Sequence, residues 1–306
     1  MPIISIFTAT GTQGSSVLDA VLADGKYTPR AITRNVDSAA SQALIARGVE
    51  VVAGNLWDKE SVKKAIRGSE AVFGNVNFWD PEIYNPDDSQ GKGELVQGKN
   101  LVDAAKEEGI KFFIWSTLPN ATKESKGLYT HIYHVDNKAV TEQYLKESGI
   151  PYACLSTGWF LENLWKIGSL TKTETGNYIV PIPKYGPEDH QSATWVAHEL
   201  GQAAVALLKN YADPSKGVLG KTYPVITAKF TYPEFTAAIS KAIGKEVTFI
   251  SPPTAGAEEL DEMFLYQAKI GMYNDTPIPN PDLVALGVKF GTLEEFIQAE
   301  VVHRFK

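Results

Sequence analysis

Gly11 and Gly14 lie three residues apart in a run of small residues that follows the apolar stretch 3–7. Apolar residues then recur at helical spacing over 17–22, which predicts a turn between a strand and a helix. In such a turn Gly11 would let the backbone approach a pyrophosphate, and Gly14 would let the helix pack closely on the strand. The helix N-terminus adds N–H groups and the positive end of a dipole. The pattern predicts a loop that binds dinucleotide phosphates; the alternative is an ordinary turn.

The side chains of this loop extend the predicted site. Their hydroxyl and amide groups are suited to hydrogen bonds with the ligand, and the residues expected to contact it are Thr8, Thr10, Thr12 and Gln13. Thr8 is a departure from the usual pattern, because a third glycine normally occupies this position.

Arg34 indicates which dinucleotide is bound. About 20 residues after such a loop, an NAD site has an acidic residue at the end of the second strand, where it holds the ribose 2′-hydroxyl. Here the sequence reads Thr33-Arg34-Asn35, and no acidic residue precedes Asp37. A guanidinium group suits a 2′-phosphate, so the sequence favours NADP(H) over NAD(H). The alternative is that Arg34 is a solvated charge at a strand end.

Strand and helix patterns alternate along the first half of the chain. Predicted strands cover 3–7, 28–34, 49–54, 71–74, 111–115 and 152–156, with helices between them over 15–22, 38–47, 59–66 and 94–108. This order predicts right-handed crossovers and a parallel sheet, so the fold class is α/β with a Rossmann-type doubly wound sheet. Later helices over 195–210, 232–243, 255–270 and 293–305, with long Pro- and Gly-rich connections, predict a smaller mixed α/β lobe. We expect a nucleotide domain over 1–155, interwoven with a lobe over 156–306 that faces a substrate or partner.

Several predicted strands end in polar residues where a bound dinucleotide would lie. Asn55 and Leu56 follow the third strand, near the expected adenine. Asn75 and Asn77 follow the fourth strand, near the expected nicotinamide ribose, and Ser116 ends the fifth, beside the reacting ring. Polar residues are also common in turns for local reasons, which is the alternative for each of them.

Composition narrows the class of protein. The 306 residues are 43% hydrophobic and 21% charged, as in ordinary globular proteins. Lys and Arg total 29 against 36 Asp and Glu, and the net charge of −7 argues against direct nucleic-acid binding. One cysteine, Cys154, excludes an intramolecular disulfide and a cysteine-cluster zinc site. No signal peptide or membrane-length apolar stretch is evident, so we expect a cytoplasmic protein, with the nucleus left open.

Motifs spread over almost the whole chain resemble the NmrA-like family of atypical short-chain dehydrogenases/reductases. They are Ile3 to Gly14, Arg34, the Asn55 turn, His134-Val135-Asp136-Asn137-Lys138, Gly149-Ile150-Pro151, Thr157 to Asn163, Thr231 to Phe235, and Gly244 to Val247. The resemblance implies NADP(H) bound in a Rossmann domain, with Gly158 and Phe160 of the Thr157 to Asn163 segment beside the dinucleotide. Some members of the family sense redox state and control protein partners, and others reduce quinones, carbonyls or related substrates.

The resemblance also raises the question of hydride chemistry. Reductases of the wider superfamily use Tyr-x-x-x-Lys on one helical face, where Lys binds the nicotinamide ribose and Tyr delivers the proton. Here Lys138 is present, but His134 stands at the tyrosine position. Ser116 or Thr117 matches the serine partner. An imidazole can act as a general acid near neutral pH; the alternatives are Tyr129 or Tyr133, although Tyr133 is five residues before Lys138 and off its face. The other histidines lack metal-ligand spacing, and we expect no metal.

Two functions follow. The sequence keeps the glycine loop and Arg34 but lacks the tyrosine of the Tyr-x-x-x-Lys pair. This combination favours an NADP(H)-binding regulator that senses redox state and signals that state to a protein partner. The alternative is an NADPH-dependent reductase of a small carbonyl, quinone or imine, with the aromatic-rich segment 77–84 closing over the substrate. A homodimer is left open.

Overall fold

The computed structural model describes residues 1–78 and 92–306. Within them, a seven-stranded sheet has the order β11-β6-β5-β4-β1-β2-β3, and its paired strands are all parallel. Its strands are β1 Ile3–Ile6, β2 Thr28–Thr33, β3 Glu50–Ala53, β4 Ala71–Gly74, β5 Phe112–Thr117, β6 Tyr152–Thr157 and β11 Thr222–Val225. The prediction of an α/β, doubly wound parallel sheet is confirmed.

Helices cover both faces of this sheet. They are α1 Thr12–Asp24, α2 Ala39–Ala46, α3 Lys59–Ile66, α4 Lys92–Glu107, α6 Tyr133–Ser148 and α8 Val196–Asn210. Two short helices, α5 Ala121–Glu124 and α7 Asn163–Lys166, pack in other clusters of buried residues. The buried side chains of α1 and α8 form one core with the sheet, and those of α3, α4 and α6 form a second core on the opposite face. Although α8 comes from the later part of the chain, it packs directly on α1: the Ser16 hydroxyl donates to the carbonyl of Val196 at 2.6 Å.

The remaining elements build a smaller mixed lobe. Two three-stranded sheets, in the orders β12-β10-β7 and β13-β9-β8, use β7 Trp159–Phe160, β8 Thr171–Lys172, β9 Tyr178–Pro181, β10 His190–Thr194, β12 Ala228–Thr231 and β13 Val247–Ile250. The helices of this part are α9 Tyr232–Ile243, α10 Glu258–Leu265, α12 Leu293–Phe296 and α13 Val302–Phe305, with π-helical turns at Tyr266–Ile270 and Ile297–Val301. Two other late elements are a 3₁₀ turn at Pro214–Lys216 and α11 Pro281–Ala285, whose Leu283 is buried in the core that α1 and α8 form with the large sheet. A separate aromatic-rich core lies between them.

Local sequence explains where several helices begin. Asp58 caps α3 by accepting from the N–H groups of Glu60 and Ser61. Thr231 and Glu234 form a reciprocal capping box at the start of α9, an arrangement that satisfies backbone N–H groups left unpaired at a helix start. None of the helices in 1–78 and 92–306 is long and apolar enough to cross a bilayer.

Glu199, on α8, is a carboxyl group with no solvent exposure, and burial raises its pKa to about 8. It accepts hydrogen bonds from the Thr227 hydroxyl at 2.5 Å and from the Gly291 N–H at 3.1 Å. Because the folded pKa lies above the ordinary value of 4.5, the folded protein holds this proton more tightly than the unfolded chain. The resulting stabilisation is complete below pH 4.5 and is lost as the pH rises towards 8.

We therefore expect Glu199→Gln to flatten the pH dependence of the free energy of unfolding between pH 5 and 8, by up to about 1.4 kcal/mol per pH unit. Urea titrations at several pH values measure this slope. The exposed Glu188→Gln serves as the control. Parallel curves for wild type and Glu199→Gln would contradict the prediction.

Candidate active site

The carboxyl ends of the sheet strands form one edge, and a crevice opens where the chain leaves β1 and β4 in opposite directions. β1 pairs with β2 on one side and with β4 on the other. Ligands of open α/β sheets bind at such a switch point. The loops after β1, β2, β3, β4, β5 and β6 carry most of the residues predicted to bind the dinucleotide.

The loop between β1 and α1 is tightly folded. Thr8 has a φ of 51°, in the left-handed region that glycine usually occupies, and its carbonyl accepts from the Gly11 N–H at 2.8 Å. A Cβ on Gly14 would lie 2.2 Å from the Thr8 carbonyl oxygen and 2.8 Å from the Cα of Ala9. Gly14 is therefore required for the close approach of α1 to the loop. Thr8 takes the conformation expected of a third glycine.

The start of α1 is suited to an anion. Gly11 precedes the helix and gives it no side-chain cap, and the first turn contains no acidic residue. Thr10 and Gly11 are exposed, while Thr12 and Gln13 are half-buried. N–H groups that a helix leaves unpaired at its start, together with the helix dipole, favour a phosphate group at this position.

Two hydrogen bonds join this loop to the neighbouring strand ends. The Asn75 amide donates to the Thr8 hydroxyl at 3.2 Å, and the Ser116 hydroxyl donates to the Gln13 side-chain oxygen at 2.5 Å. Asn75 is buried, and its Oδ1 atom has no hydrogen-bond partner in the described part of the chain. A buried acceptor left unpaired costs free energy, so a ligand hydroxyl or N–H group that reached it would be favoured.

Lys138 lies on α6 with its side chain largely buried. Its ammonium group donates to Glu94 Oε1 at 2.8 Å and to the His134 carbonyl at 2.8 Å. The Trp115 indole N–H, near the end of β5, donates to the Lys138 carbonyl at 3.0 Å. Lys138 is thus fixed between α4 and the strand that carries Ser116.

His134 turns away from the ammonium group and towards α10. Its Nδ1 lies 2.7 Å from Glu259 Oε1, which also accepts from the His134 backbone N–H at 2.9 Å. Its Nε2 lies 3.3 Å from the sulfur of Met263, and the ring of Phe78 packs 4.7 Å away. Both ring nitrogens therefore face α10, and a proton-transfer role for His134 requires α10 to move.

The two candidate tyrosines stand elsewhere on this surface. Tyr133 is half-buried at the first position of α6, with its ring edge-on to His131 at 6.1 Å, and burial with nearby glutamates raises the pKa of its phenol. The backbone carbonyl of Tyr129 accepts from the Thr122 hydroxyl at 3.2 Å, and its side chain packs in a small apolar cluster with Tyr266. Neither has a described hydrogen bond to Lys138.

His131 belongs to the one group of three possible metal-ligating side chains found in the described ranges. The other two members are Glu258 and Glu262, and the ligand atoms lie within 4.8 Å of one another on the protein surface. Glu262 Oε1 lies 2.8 Å from His131 Nδ1, and this contact raises the pKa of the imidazole. The cluster is explained by ion pairing between α10 and the segment before α6, and the expectation of no metal stays a prediction.

The residues predicted for the adenine side follow β2 and β3. Arg34 is exposed directly after β2. Asn55 is exposed after β3, and its side-chain oxygen accepts from the Trp57 N–H at 3.1 Å. The carbonyl of Leu56 accepts from the Asn100 amide at 2.9 Å. Asn55 and Leu56 therefore make a turn held by local and α4 contacts, beside the strand that precedes Arg34.

Three further predicted residues lie beyond β4 and β6. Asn77 is exposed shortly after Asn75. Gly158 packs against β10, where a Cβ would lie 2.3 Å from the Ser192 carbonyl oxygen. Phe160 is half-buried against the core that α1 and α8 share. Packing accounts for Gly158 and Phe160, and their contact with a dinucleotide stays a prediction. Of the segment 77–84, residues 79–84 lie outside the described residues.

A cleft of about 720 Å³ lies on the outer side of α6. Its lining includes Leu118, Glu124, Glu142, Tyr152, Tyr273 and Asp275. The hydroxyl of Tyr273 donates to the Thr157 carbonyl at 2.9 Å and lies 2.5 Å from the Ser156 hydroxyl, both near the end of β6. The volume is that of a small-molecule site, and the wall carries the carboxyl groups of Glu124, Glu142 and Asp275 together with the ammonium group of Lys146.

Sequence reasoning missed several of these groups. The sequence pattern places Glu94 only at the start of a helix, and it predicts no functional role for Glu259, Met263 or Tyr273. The sequence carries little signal for them, because each meets the site through contacts between residues far apart in the chain.

Taken together, the uncapped α1 N-terminus, the close approach at Gly14, and the unpaired Asn75 oxygen fit a dinucleotide across the switch point. Comparisons with known proteins identify the family and the fold. The model of the NmrA-like family matches residues 2–297. The NmrA-like oxidoreductase ptmS of Penicillium ochrochloron is 30% identical over 81% of this chain and 75% of its own. The NmrA-like oxidoreductase cpsB of Aspergillus campestris is 28% identical over 85% of this chain and 80% of its own.

Solved structures share the fold at lower identity. The negative transcriptional regulator NmrA, in complex with NADP, superposes with a TM-score of 0.78 at 20% identity, covering 99% of this chain and 96% of that one. The NADPH complex of quinone oxidoreductase QOR2 from Escherichia coli has a TM-score of 0.71 at 23% identity, covering 96% of this chain and 98% of that one. With the family match over almost its whole length and the resemblance of its motifs, the chain belongs to the NmrA-like family.

Proposed function

We infer that this protein is an NADPH-dependent reductase of a small carbonyl, quinone or imine. The observation that carries the proposal is the ammonium group of Lys138, which Glu94 holds beside the strand that carries Ser116. The names of relatives such as ptmS, which identify them as oxidoreductases, support it. This reverses the order of the two functions favoured by the sequence, where the missing tyrosine gave weight to a regulator.

Different residues of the candidate site would bind different parts of NADP(H). The backbone from Gly11 to Gln13 and the start of α1 would hold the pyrophosphate, and Arg34 would hold the 2′-phosphate. Asn75 and Lys138 would bind the ribose on the nicotinamide side. When bound, the reduced dinucleotide supplies a hydride to an electrophilic carbon of the substrate. The protein must then supply a proton to the substrate's oxygen or nitrogen.

Two groups near these strand ends carry protons for that step. The Ser116 hydroxyl donates to Gln13, and the Lys138 ammonium group donates to Glu94 and to the His134 carbonyl. In this scheme Ser116 donates the proton to the substrate and regains one from solvent, and Lys138 stabilises the negative charge that develops on the substrate oxygen. His134 contributes in this scheme only if its contacts with Glu259 and Met263 open.

Turnover is the direct test. Purified protein is mixed with NADPH and a panel of aldehydes, ketones, quinones and imines, and the loss of NADPH absorbance is followed. Absence of turnover over the whole panel would count against a reductase.

Arg34 sets the preference for NADPH in this proposal. A hydrogen bond between two charged groups is worth about 1.5–3 kcal/mol, so Arg34→Ala should weaken NADPH binding by about tenfold to a hundredfold and leave NADH binding nearly unchanged. Calorimetric titration with each dinucleotide measures both affinities. Arg47→Ala is a matched control, because Arg47 is an exposed arginine that pairs with Asp19 at 2.5 Å. Equal affinities of the wild type for the two dinucleotides would contradict the assignment.

A redox-sensing regulator is the second candidate, and the position of His134 favours it. Both ring nitrogens are engaged by α10, so the site lacks a proton donor at the usual tyrosine position. Sensing requires different affinities of two protein states for NADP and NADPH. Sedimentation and partner capture with each redox form test this. Identical sedimentation and partner capture with NADP and NADPH would contradict the regulator hypothesis. A difference between them without turnover would favour it.

A further inference from the structure

Glu94 is a buried carboxyl group to which the proposed function gives no contact with a ligand. It lies in the first turn of α4 with 1% of its surface exposed, and its Oε1 accepts from the Lys138 ammonium group at 2.8 Å. Its Oε2 is also buried and has no hydrogen-bond partner within the described ranges. A fully buried ion pair usually has its remaining lone pairs satisfied, because the desolvation of both charges is costly. The unpaired oxygen is therefore an observation that requires an explanation.

The surroundings indicate the kind of group that would satisfy it. Lys138 donates two of its three N–H bonds, to Glu94 and to the His134 carbonyl, and keeps one for another acceptor. Asn75, at the end of β4, presents a second buried acceptor without a partner. A ligand that offers hydroxyl groups both donates to carboxylate and amide oxygens and accepts from an ammonium group. A pair of neighbouring hydroxyls on a ribose has this chemistry.

We propose that Glu94 and Lys138 act as one unit that binds the ribose on the nicotinamide side of the dinucleotide. The ammonium group of Lys138 donates to a ribose hydroxyl, and the Glu94 carboxylate accepts from a hydroxyl of the same sugar while holding the ammonium group in place. This assignment rests on the proposed binding of NADP(H) and adds Glu94 to the groups that recognise it. Side-chain adjustment on binding is needed to bring Oε2 to the sugar, because it is buried before the ligand arrives.

Comparison of two ligands tests the proposal. NADPH contains the nicotinamide ribose, whereas adenosine 2′,5′-bisphosphate contains only the adenosine half with its 2′-phosphate. We expect Glu94→Gln to weaken NADPH binding by about tenfold or more and to change the affinity for the bisphosphate by less than about twofold. Glu70→Gln is the control. Glu70 is a partly buried carboxyl group just before β4, at the amino ends of the strands and so away from the candidate site. It also has a lysine partner, Lys111.

Glu94→Asp keeps the test valid if Glu94→Gln does not fold, because it retains a carboxylate near Lys138 and shortens only its reach. It should show the same selective loss of NADPH affinity. Unchanged or tighter NADPH binding, or an equal loss for both ligands, would overturn the role of Glu94. A wild-type protein that binds neither ligand would overturn the proposed function itself, and this assignment with it.

Discussion

Replacing Gly14 with alanine will destabilise the protein and abolish dinucleotide binding. The new Cβ would lie 2.2 Å from the Thr8 carbonyl oxygen and 2.6 Å from its carbon. Both are backbone atoms of a loop that already has a φ of 51° at Thr8, so the loop cannot yield as a flexible side chain would. Overpacking of a tight site costs about 1–3 kcal/mol or more. Because α1 must move away from the loop, we expect the N–H groups at its start to lose their alignment with the phosphates.

Gly11→Ala provides the matched control for this prediction. Its Cβ would lie 3.2 Å from the same carbonyl oxygen, and Gly11 has an ordinary φ of −88°. We expect a smaller loss of stability, with measurable NADPH binding retained. Thermal unfolding and calorimetric titration of the two variants test the contrast. Similar melting temperatures and affinities for Gly14→Ala and wild type would show that the close approach is not required.

The parts of the fold that could be predicted depend on local sequence. The turn from β1 to α1 can be predicted from neighbouring residues. The glycines and the change from an apolar run to helical spacing all occur within 20 positions. The first six strands of the large sheet were predicted close to their observed places, although β5 runs to Thr117 rather than 115. Buried parallel strands are short apolar runs, and such runs give a clear signal.

The strands that were missed lack that signal. β11 is four residues long, contains Pro224, and lies at an edge, where its one pairing is with β6. An edge strand with proline does not show the pattern of a buried strand. One of the predicted Pro- and Gly-rich connections contains β9, and the predicted helix over 255–270 becomes π-helical from Tyr266. Pairing with strands that are distant in sequence, together with packing in the smaller lobe, determines the secondary structure of these segments.

The candidate site likewise combines features that local sequence predicts with contacts that it does not. Its glycine loop and the strand-end polar residues could be predicted because parallel strands bring their carboxyl ends to one edge. The contacts of Lys138 with Glu94 and of His134 with Glu259 join different helices across 44 and 125 residues. Helical spacing placed His134 and Lys138 on one face, but it gave no information about α10, which turns the imidazole away from the lysine.

Replacing Lys138 with methionine should produce the largest combined loss of stability and activity. The substitution leaves the Glu94 carboxylate buried without its partner, and removing one member of a buried pair costs about 3–5 kcal/mol. The double variant Glu94→Gln/Lys138→Met should recover most of that stability, because no uncompensated charge remains. The exposed Lys221→Met, which breaks the contact with Asp282 at 3.1 Å, should cost less than about 1 kcal/mol. Urea unfolding of the three variants measures these differences.

Activity separates the chemical role of Lys138 from its part in stability. If the ammonium group binds the ribose and stabilises charge on the substrate, NADPH-dependent turnover should fall by about a hundredfold or more in Lys138→Met, and it should not return in the double variant. Stability and turnover then respond differently to the second substitution, and Glu94→Gln alone, which keeps the lysine, separates the contribution of Glu94 from that of Lys138. Recovery of turnover together with stability would show that Lys138 only supports the fold, and would leave Ser116 as the group to test for the chemistry.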